Sequence, residues 1–156
     1  MTALNARALK QTVAYTVLYQ WGFDPNLIAT WGEDDVERLL GDAGIIRHRG
    51  KIEATFANAR AWQEIEAKEG FDRFLWNYVD GTPIPTPHAD RALIPTQSPL
   101  TVQISKDLKK AGFKFCGPTI VYAFMEATGL FNNHLRTCPR HAPCAAMSKD
   151  PAEVWE

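Results

Sequence analysis

Residues 108–119, Leu-Lys-Lys-Ala-Gly-Phe-Lys-Phe-Cys-Gly-Pro-Thr, carry a helix end, a tight turn and a new helix start in immediate succession. This order of signals predicts a hairpin between two helices. Gly112 supplies the φ > 0 that ends the first helix, Phe113 and Phe115 are expected to plug the core below, and Pro118 suits the first turn of the second. The backbone amides from Gly117 to Thr119 then stand free at a helix N-terminus, beside the side chains of Lys110 and Lys114. Gly117 has no Cβ to hinder close approach, so the turn is a binding site for a phosphate group.

The chain around this hairpin reads as a series of helices with one long proline-rich loop. At 156 residues it suits a single domain that buries a core without disulfides. Its three cysteines all lie in the last third, an odd number that favours reduced thiols or metal ligands. No apolar run reaches bilayer-spanning length and no signal peptide is evident, so the cytoplasm is the expected location and no membrane partner is expected. The net charge of −1 lacks the basic signature of strongly electrostatic nucleic-acid binders. Charge is nevertheless uneven. Residues 101–141 contain Lys106, Lys109, Lys110, Lys114, Arg136 and Arg140 against Asp107 and Glu126, a local charge of +4, while acids gather at residues 33–37. A small basic patch suits an enzyme that scans DNA and releases it, and equally a solvated helix face.

Taken in order, residues 1–22 allow a helix with Leu9, Val13, Val17 and Leu18 on one face and Tyr15, Tyr19 and Trp21 at its edge. Asp24 and Pro25 then cap and open a short helix ending near Trp31 and Gly32. A second helix follows, with Glu33, Asp34 and Asp35 in its first turn, where the macrodipole favours acids, and Val36, Leu39 and Leu40 as its buried stripe. After a break at residues 41–44 comes the basic run Arg47-His48-Arg49-Gly50-Lys51. It opens a long helix whose Ile52, Phe56, Ala59, Trp62 and Ile65 share one face. Arg47, Arg49 and Lys51 either touch a DNA backbone or solvate the helix start. His48 has no nearby acid or nucleophile in the sequence to make it a catalytic base. Phe71, Phe74, Leu75, Tyr78 and Val79 form a further amphipathic helix, and five prolines make residues 81–99 a loop. The hairpin helices are expected at Val102 to Lys110 and Pro118 to Thr128, the second with Ile120, Val121, Phe124 and Met125 inside. Cys116 reads as a small buried residue.

Three blocks of sequence resemble the DNA-3-methyladenine glycosylase I family. Gly112-Phe113-Lys114-Phe115, Gly117-Pro118-Thr119 and Tyr122-Ala123-Phe124-Met125 resemble its helix-hairpin-helix element. Residues 33–40 and 43–52 resemble its central helices, and Gly129-Leu130, Asn133-His134 and Cys138 its C-terminal metal-binding tail. The resemblance runs from about Phe23 to about His141. It implies an all-α fold of the helix-hairpin-helix DNA glycosylase type, as one helical domain with residues 1–22 unmatched, a core at 23–141 and a tail at 142–156. It also implies a monomer that acts on double-stranded DNA containing alkylated bases and hydrolyses the N-glycosidic bond of N3-methyladenine. In such chemistry the damaged base is extruded from the stack, and its delocalised positive charge both activates the bond and attracts an aromatic pocket and a carboxylate. Lys110, Lys114, Gly117 and Thr119, with Arg47, Arg49 and Lys51, are the DNA-contact candidates. Phe124 to Gly129 offers no aspartate after the hairpin.

The resemblance implies structural zinc as well. In the family a histidine and a cysteine matching His134 and Cys138 bind zinc together with a cysteine and a histidine near the N-terminus, and this chain has no cysteine before Cys116 and no histidine before His48. His141 and Cys144 offer replacements, in the spacing H-x3-C-x2-H-x2-C, since a closed structural site needs four such ligands. The alternative is a frayed tail with exposed thiols. The family's base-binding glutamate and stacking aromatics likewise belong to an N-terminal region that residues 1–22 do not match. A truncated or mis-started gene product is the favoured explanation. A diverged, non-catalytic DNA-binding remnant and a pocket rebuilt from Tyr15, Tyr19, Trp21 and another acid are the others.

Overall fold

The computed structural model describes residues 24–85 and 88–146. They form helices α1 (Pro25–Ala29), α2 (Glu33–Leu40), α3 (Arg49–Lys68), α4 (Phe71–Trp76), α5 (Pro99–Lys110), α6 (Pro118–Thr128) and α7 (His141–Ala146), with strands β1 (Ile84–Pro85) and β2 (Phe131–Asn132). The fold is all-α, as the resemblance implies. Tyr15, Tyr19 and Trp21 lie outside the described residues. Among the described residues no helix is long and apolar enough to cross a membrane.

Helix α3 is the element on which the others are assembled. Its Arg60 donates to the carbonyls of Ala29 (2.8 Å) and Trp31 (2.6 Å), placing a cation on the carbonyl end of α1. The start of α1 is capped as its sequence predicts, with the Asp24 carboxylate accepting from the Asn26 amide at 2.9 Å. Asp35 turns back to accept from the Gly32 amide, which gives one of the acids of α2 a structural use. Ile28, Trp31, Val36 and Leu39 then close over Ile52 and Phe56 of α3 as one core cluster. Trp31 meets Phe56 edge-on at 5.4 Å.

A second cluster joins α4, α5, α6 and β2, with Ile104, Met125 and Leu130 essentially inaccessible. Tyr78, in the 3-10 turn Asn77–Val79 after α4, fastens this part by donating to Asp107 of α5 at 2.9 Å. Helix α5 begins at Pro99, earlier than expected. Ser98 and Thr101 exchange hydrogen bonds across its first turn, and Pro99 occupies the position where a missing N–H costs nothing. The proline-rich segment is not irregular throughout. Ile84 and Pro85 pair in parallel with Phe131 and Asn132, and the Ile84 amide donates to the Leu130 carbonyl at 2.9 Å. Pro85 is tolerated because the ladder is two strands wide, leaving an edge with no partner to satisfy.

Two core assignments are corrected. Ile120, expected inside α6, is 49% exposed, and Tyr122 takes the inward place at 3%. Val121, Tyr122 and Met125 define the face of α6 turned to the core, and Ile120 projects beyond it. Phe115, expected to plug the core, is 57% exposed, whereas Phe113 packs against the second cluster.

Candidate nucleic-acid interface

The hairpin is built from the end of α5 outward. The Phe113 amide donates to the Leu108 carbonyl (2.9 Å) and the Gly112 amide to that of Lys109 (3.1 Å), the paired bonds of a Schellman helix end. Gly112 sits at φ 99°, which a side chain would strain, and a Cβ there would lie 3.6 Å from that of Ala61 on α3. The turn therefore reverses the chain against the long helix. Phe113 follows by stacking on Phe71 at 5.8 Å between ring centroids.

Lys114 is held by its backbone. Asn58 on α3 donates to the Lys114 carbonyl at 3.1 Å and accepts from the Lys114 amide at 2.7 Å, a two-point clamp across 56 residues of sequence. The ammonium group of Lys114 is left exposed and, among the described residues, forms no ion pair. Phe115 then adopts φ 55°, in the left-handed region, and its ring points outward against the edge of His48 at 6.3 Å. Cys116 returns to the core. Its carbonyl accepts from the buried Ser105 hydroxyl at 2.7 Å, and burial pushes its thiol up, as suits an unreactive packing residue.

Gly117 caps α6 in extended geometry (φ −63°, ψ 161°) with no side-chain hydrogen bond, and Pro118 opens the helix. The first amide of α6 bonded within the protein, among the described residues, is that of Val121, to the Gly117 carbonyl at 2.9 Å. A Cβ placed on Gly117 would meet nothing within 4 Å. Neither backbone angle nor packing among the described residues requires glycine there, and the absent Cβ leaves room at the N-terminus that carries the Thr119 and Ile120 amides. The geometry is that of an anion site at a helix N-terminus, with Lys114 alongside.

The basic segment adjoins this turn through the contact of His48 with Phe115, but its members differ. His48 is the cap of α3, its Nδ1 accepting from the Lys51 amide at 3.3 Å, so the structure gives it a local structural use. Arg47 and Lys51 make no ion pair among the described residues. Arg49 is turned to the acids of α2. Its guanidinium lies 2.6 Å from Glu33, bonds Glu37 and sits 3.6 Å from Glu53, and the carboxylates of Glu33 and Glu37 push its pKa up. A phosphate contact by Arg49 would have to break these pairs, so it leaves the set that faces the hairpin. Lys110, at the end of α5, reaches Asp107 at 3.4 Å and remains largely exposed.

A cleft of about 610 Å³ is lined by Ile94 to Thr96, by Thr119, Tyr122, Ala123 and Glu126 of α6, and by Asn133 to Leu135 with Cys138. The Asn133 amide donates to the Tyr122 hydroxyl at 3.0 Å and to the Glu126 carboxylate. Burial pushes the Tyr122 phenol up. The cleft can bind polar groups but offers no open aromatic face, because the Tyr122 ring is buried. The sequence signal for it was the i, i+3, i+7 spacing of Thr119, Tyr122 and Glu126 on one side of α6.

In the tail, Cys138 Sγ and His134 Nδ1 are 3.5 Å apart. Zinc–sulfur and zinc–nitrogen bonds of about 2.3 and 2.0–2.1 Å at a tetrahedral angle place two ligand atoms about 3.5 Å from each other. The pair thus fits two corners of a zinc site. It is not completed, since among the described residues no group of three or more His, Cys, Asp or Glu side chains converges. His141 and Cys144 do not join it. His141 holds β2 through its carbonyl, which accepts from Asn132 at 3.0 Å, while its Nε2 is buried with no hydrogen-bond partner among the described residues.

The chain is similar to known proteins in sequence and fold. A model of the methyladenine glycosylase family matches residues 6–141, reaching further toward the N-terminus than the resemblance visible residue by residue. DNA-3-methyladenine glycosylase 1 of Escherichia coli (strain K12) is 50% identical over 117 residues, 74% of this chain and 63% of the relative. DNA-3-methyladenine glycosylase of Haemophilus influenzae (strain ATCC 51907 / DSM 11121 / KW20 / Rd) is 41% identical over 118 residues, 75% of this chain and 64% of the relative. The chain spans less than two thirds of the length of these curated relatives. Among solved structures, a crystal structure of 3-methyladenine DNA glycosylase I superposes with a TM-score of 0.76 at 44% identity, covering 86% of this chain and 79% of that one. The Staphylococcus aureus enzyme, in a structure describing its recognition of 3-methyladenine, gives 0.77 at 33% identity over 87% of this chain and 78% of that one.

Proposed function

The chain belongs to the methyladenine glycosylase family, and on that premise we propose that it removes N3-methyladenine from alkylated double-stranded DNA by hydrolysing the N-glycosidic bond. The observation that carries the DNA-binding half of this reading is the open N-terminus of α6. Its free amides sit under a glycine whose missing Cβ leaves open space among the described residues, beside a lysine whose backbone is clamped and which forms no ion pair among them. Lys114, Gly117 and Thr119 would hold one phosphate, and Arg47 and Lys51 neighbouring ones. Lys110 adds charge from the end of α5. The protein acts as a monomer in the cytoplasm in this reading.

The chemistry asks little of the protein once the base is extruded. Methylation at N3 leaves the purine positively charged, so the departing base becomes neutral as its bond to C1′ breaks, and water completes the hydrolysis at that carbon. The enzyme's contribution is then to grip the backbone and hold the flipped nucleotide. His134 and Cys138 are proposed as two zinc ligands. Outside the described residues the sequence holds no further cysteine or histidine, only the carboxylates Asp150, Glu153 and Glu156, so no step of the reaction is drawn through the metal.

The test is release of free N3-methyladenine from a duplex carrying it, measured chromatographically beside a binding titration. Excision, together with weaker binding by Lys114→Ala and a salt slope smaller by about one unit, is the expected result. Binding without release would leave a DNA-gripping domain without the chemistry, and an unchanged salt slope would remove Lys114 from the contact.

A further inference from the structure

The hairpin contains a feature that phosphate binding does not use. Phe115 is 57% exposed, among the largest exposures of any bulky apolar residue described, and its backbone lies at φ 55°. Both properties are unfavourable for phenylalanine. The left-handed region crowds its Cβ, and an aromatic ring in water gains nothing from burial. The side chains packed into the core here, such as Phe113, need no such backbone. A strained conformation persists where the surroundings over-determine it, and here they do. The Asn58 clamp fixes Lys114 on one side, and the bond from Ser105 to the Cys116 carbonyl fixes the other. The ring lies against the edge of His48, the cap of α3, and beside Gly50, where a Cβ would come within 3.9 Å of its Cζ. Phe115 is thereby held out from the turn, between the basic start of α3 and the open N-terminus of α6.

We propose that the Phe115 ring is an apolar contact to DNA, packing on the deoxyribose next to the phosphate held by the α6 amides. This rests on the DNA-binding reading above. The occupant follows from charge and chemistry together. Lys114 precedes the ring in the chain, and the His48 that the ring packs against stands in the basic run with Arg47 and Lys51. These cations call for a polyanion, and within a nucleic-acid strand the apolar surface adjoining each phosphate is its sugar. The contribution is salt-independent, since burying an aromatic ring against a sugar releases no counterion. It is therefore separable from that of Lys114, which is electrostatic.

The experiment compares Phe115→Asn and Lys114→Ala with the wild type, measuring duplex DNA affinity across a salt series and the thermal midpoint. Asparagine tolerates the left-handed backbone, so the turn keeps its shape. For Phe115→Asn the expected result is affinity reduced about tenfold at every salt concentration, a line parallel to the wild type, with the midpoint within about 3 °C of wild type or above it. Phe115→Gly, which also accepts the backbone, should reproduce the loss. Wild-type affinity in Phe115→Asn, with Lys114→Ala still flattening the slope, would overturn the contact and leave the hairpin reading intact. A large fall in midpoint would assign Phe115 to the fold and also overturn it. If the wild-type chain binds no duplex, the underlying reading fails first.

Discussion

The bond pair between Asn58 and Lys114 sets the position of the whole hairpin tip, and Asn58→Ala removes it. Each of the two hydrogen bonds contributes about 0.5–1.5 kcal/mol net when the groups it frees can turn to water. Lys114 is exposed, so both its amide and its carbonyl become hydrated in the variant and no buried orphan is left. The expected loss is therefore about 1–3 kcal/mol, toward the lower part of what a buried pair would cost. For a domain of this size, about 2–4 °C of midpoint per kcal/mol converts the central value into a fall of about 6 °C. Thermal denaturation followed by circular dichroism reads it directly. Duplex affinity should fall with it, because the turn that aims Lys114 and the α6 amides is no longer fixed to α3. Asn58→Asp keeps the acceptor for the Lys114 amide but sets a carboxylate against the Lys114 carbonyl, and should do no better near neutral pH. A midpoint within about 1 °C of wild type and unchanged affinity in Asn58→Ala would refute the clamp.

Gly117→Ala should leave the thermal midpoint unchanged, since its Cβ meets nothing and its φ is ordinary, yet weaken duplex binding by about tenfold; equal binding would place the phosphate elsewhere. Hydrogen bonds from Gln103 (2.8 Å) and Tyr78 (2.9 Å), with Lys110 at 3.4 Å, hold the Asp107 carboxyl below the usual carboxylate value of about 3.9. The stability from this lowered group is present above its unfolded value and is lost as pH falls through its folded one, so Asp107→Asn should flatten the acid limb of a midpoint-versus-pH curve. An unchanged limb would show that the network carries none of that dependence. Zinc bound through His134 and Cys138 alone should be stripped readily by a chelator and lost in Cys138→Ser, measured by elemental analysis; chelator-resistant zinc would mean that two further ligands converge on the pair.

What local chemistry controls is legible in the sequence. The cap at Asp24, the break at Gly112 and the opening of α6 at Gly117 and Pro118 depend on neighbours a few residues away, and each lies where its residue types predict. The apolar face of α3 was legible for the same reason, because a helix repeats its geometry over many turns. The long proline-rich loop was legible only as a loop. Its short pairing of Ile84 with Phe131 joins residues far apart in the chain, which no local pattern announces.

The candidate site divides along the same line. The sequence by itself determined that a turn with free amides and lysines follows Leu108, and the resemblance it carries named the family. Only the tertiary structure decided which charges face that turn. Arg49 and Lys51 are two residues apart in one basic run, but α2 packs its acids against Arg49, while Lys51 makes no ion pair among the described residues. It likewise decided that Phe113 goes inward and Phe115 outward, since contacts from α3 and α5 at Asn58 and Ser105 hold the intervening backbone in a conformation that reverses the second ring. Propensity acts over one turn of chain, whereas the direction of a side chain and the fate of a charge are set by whatever distant segment is packed beside them.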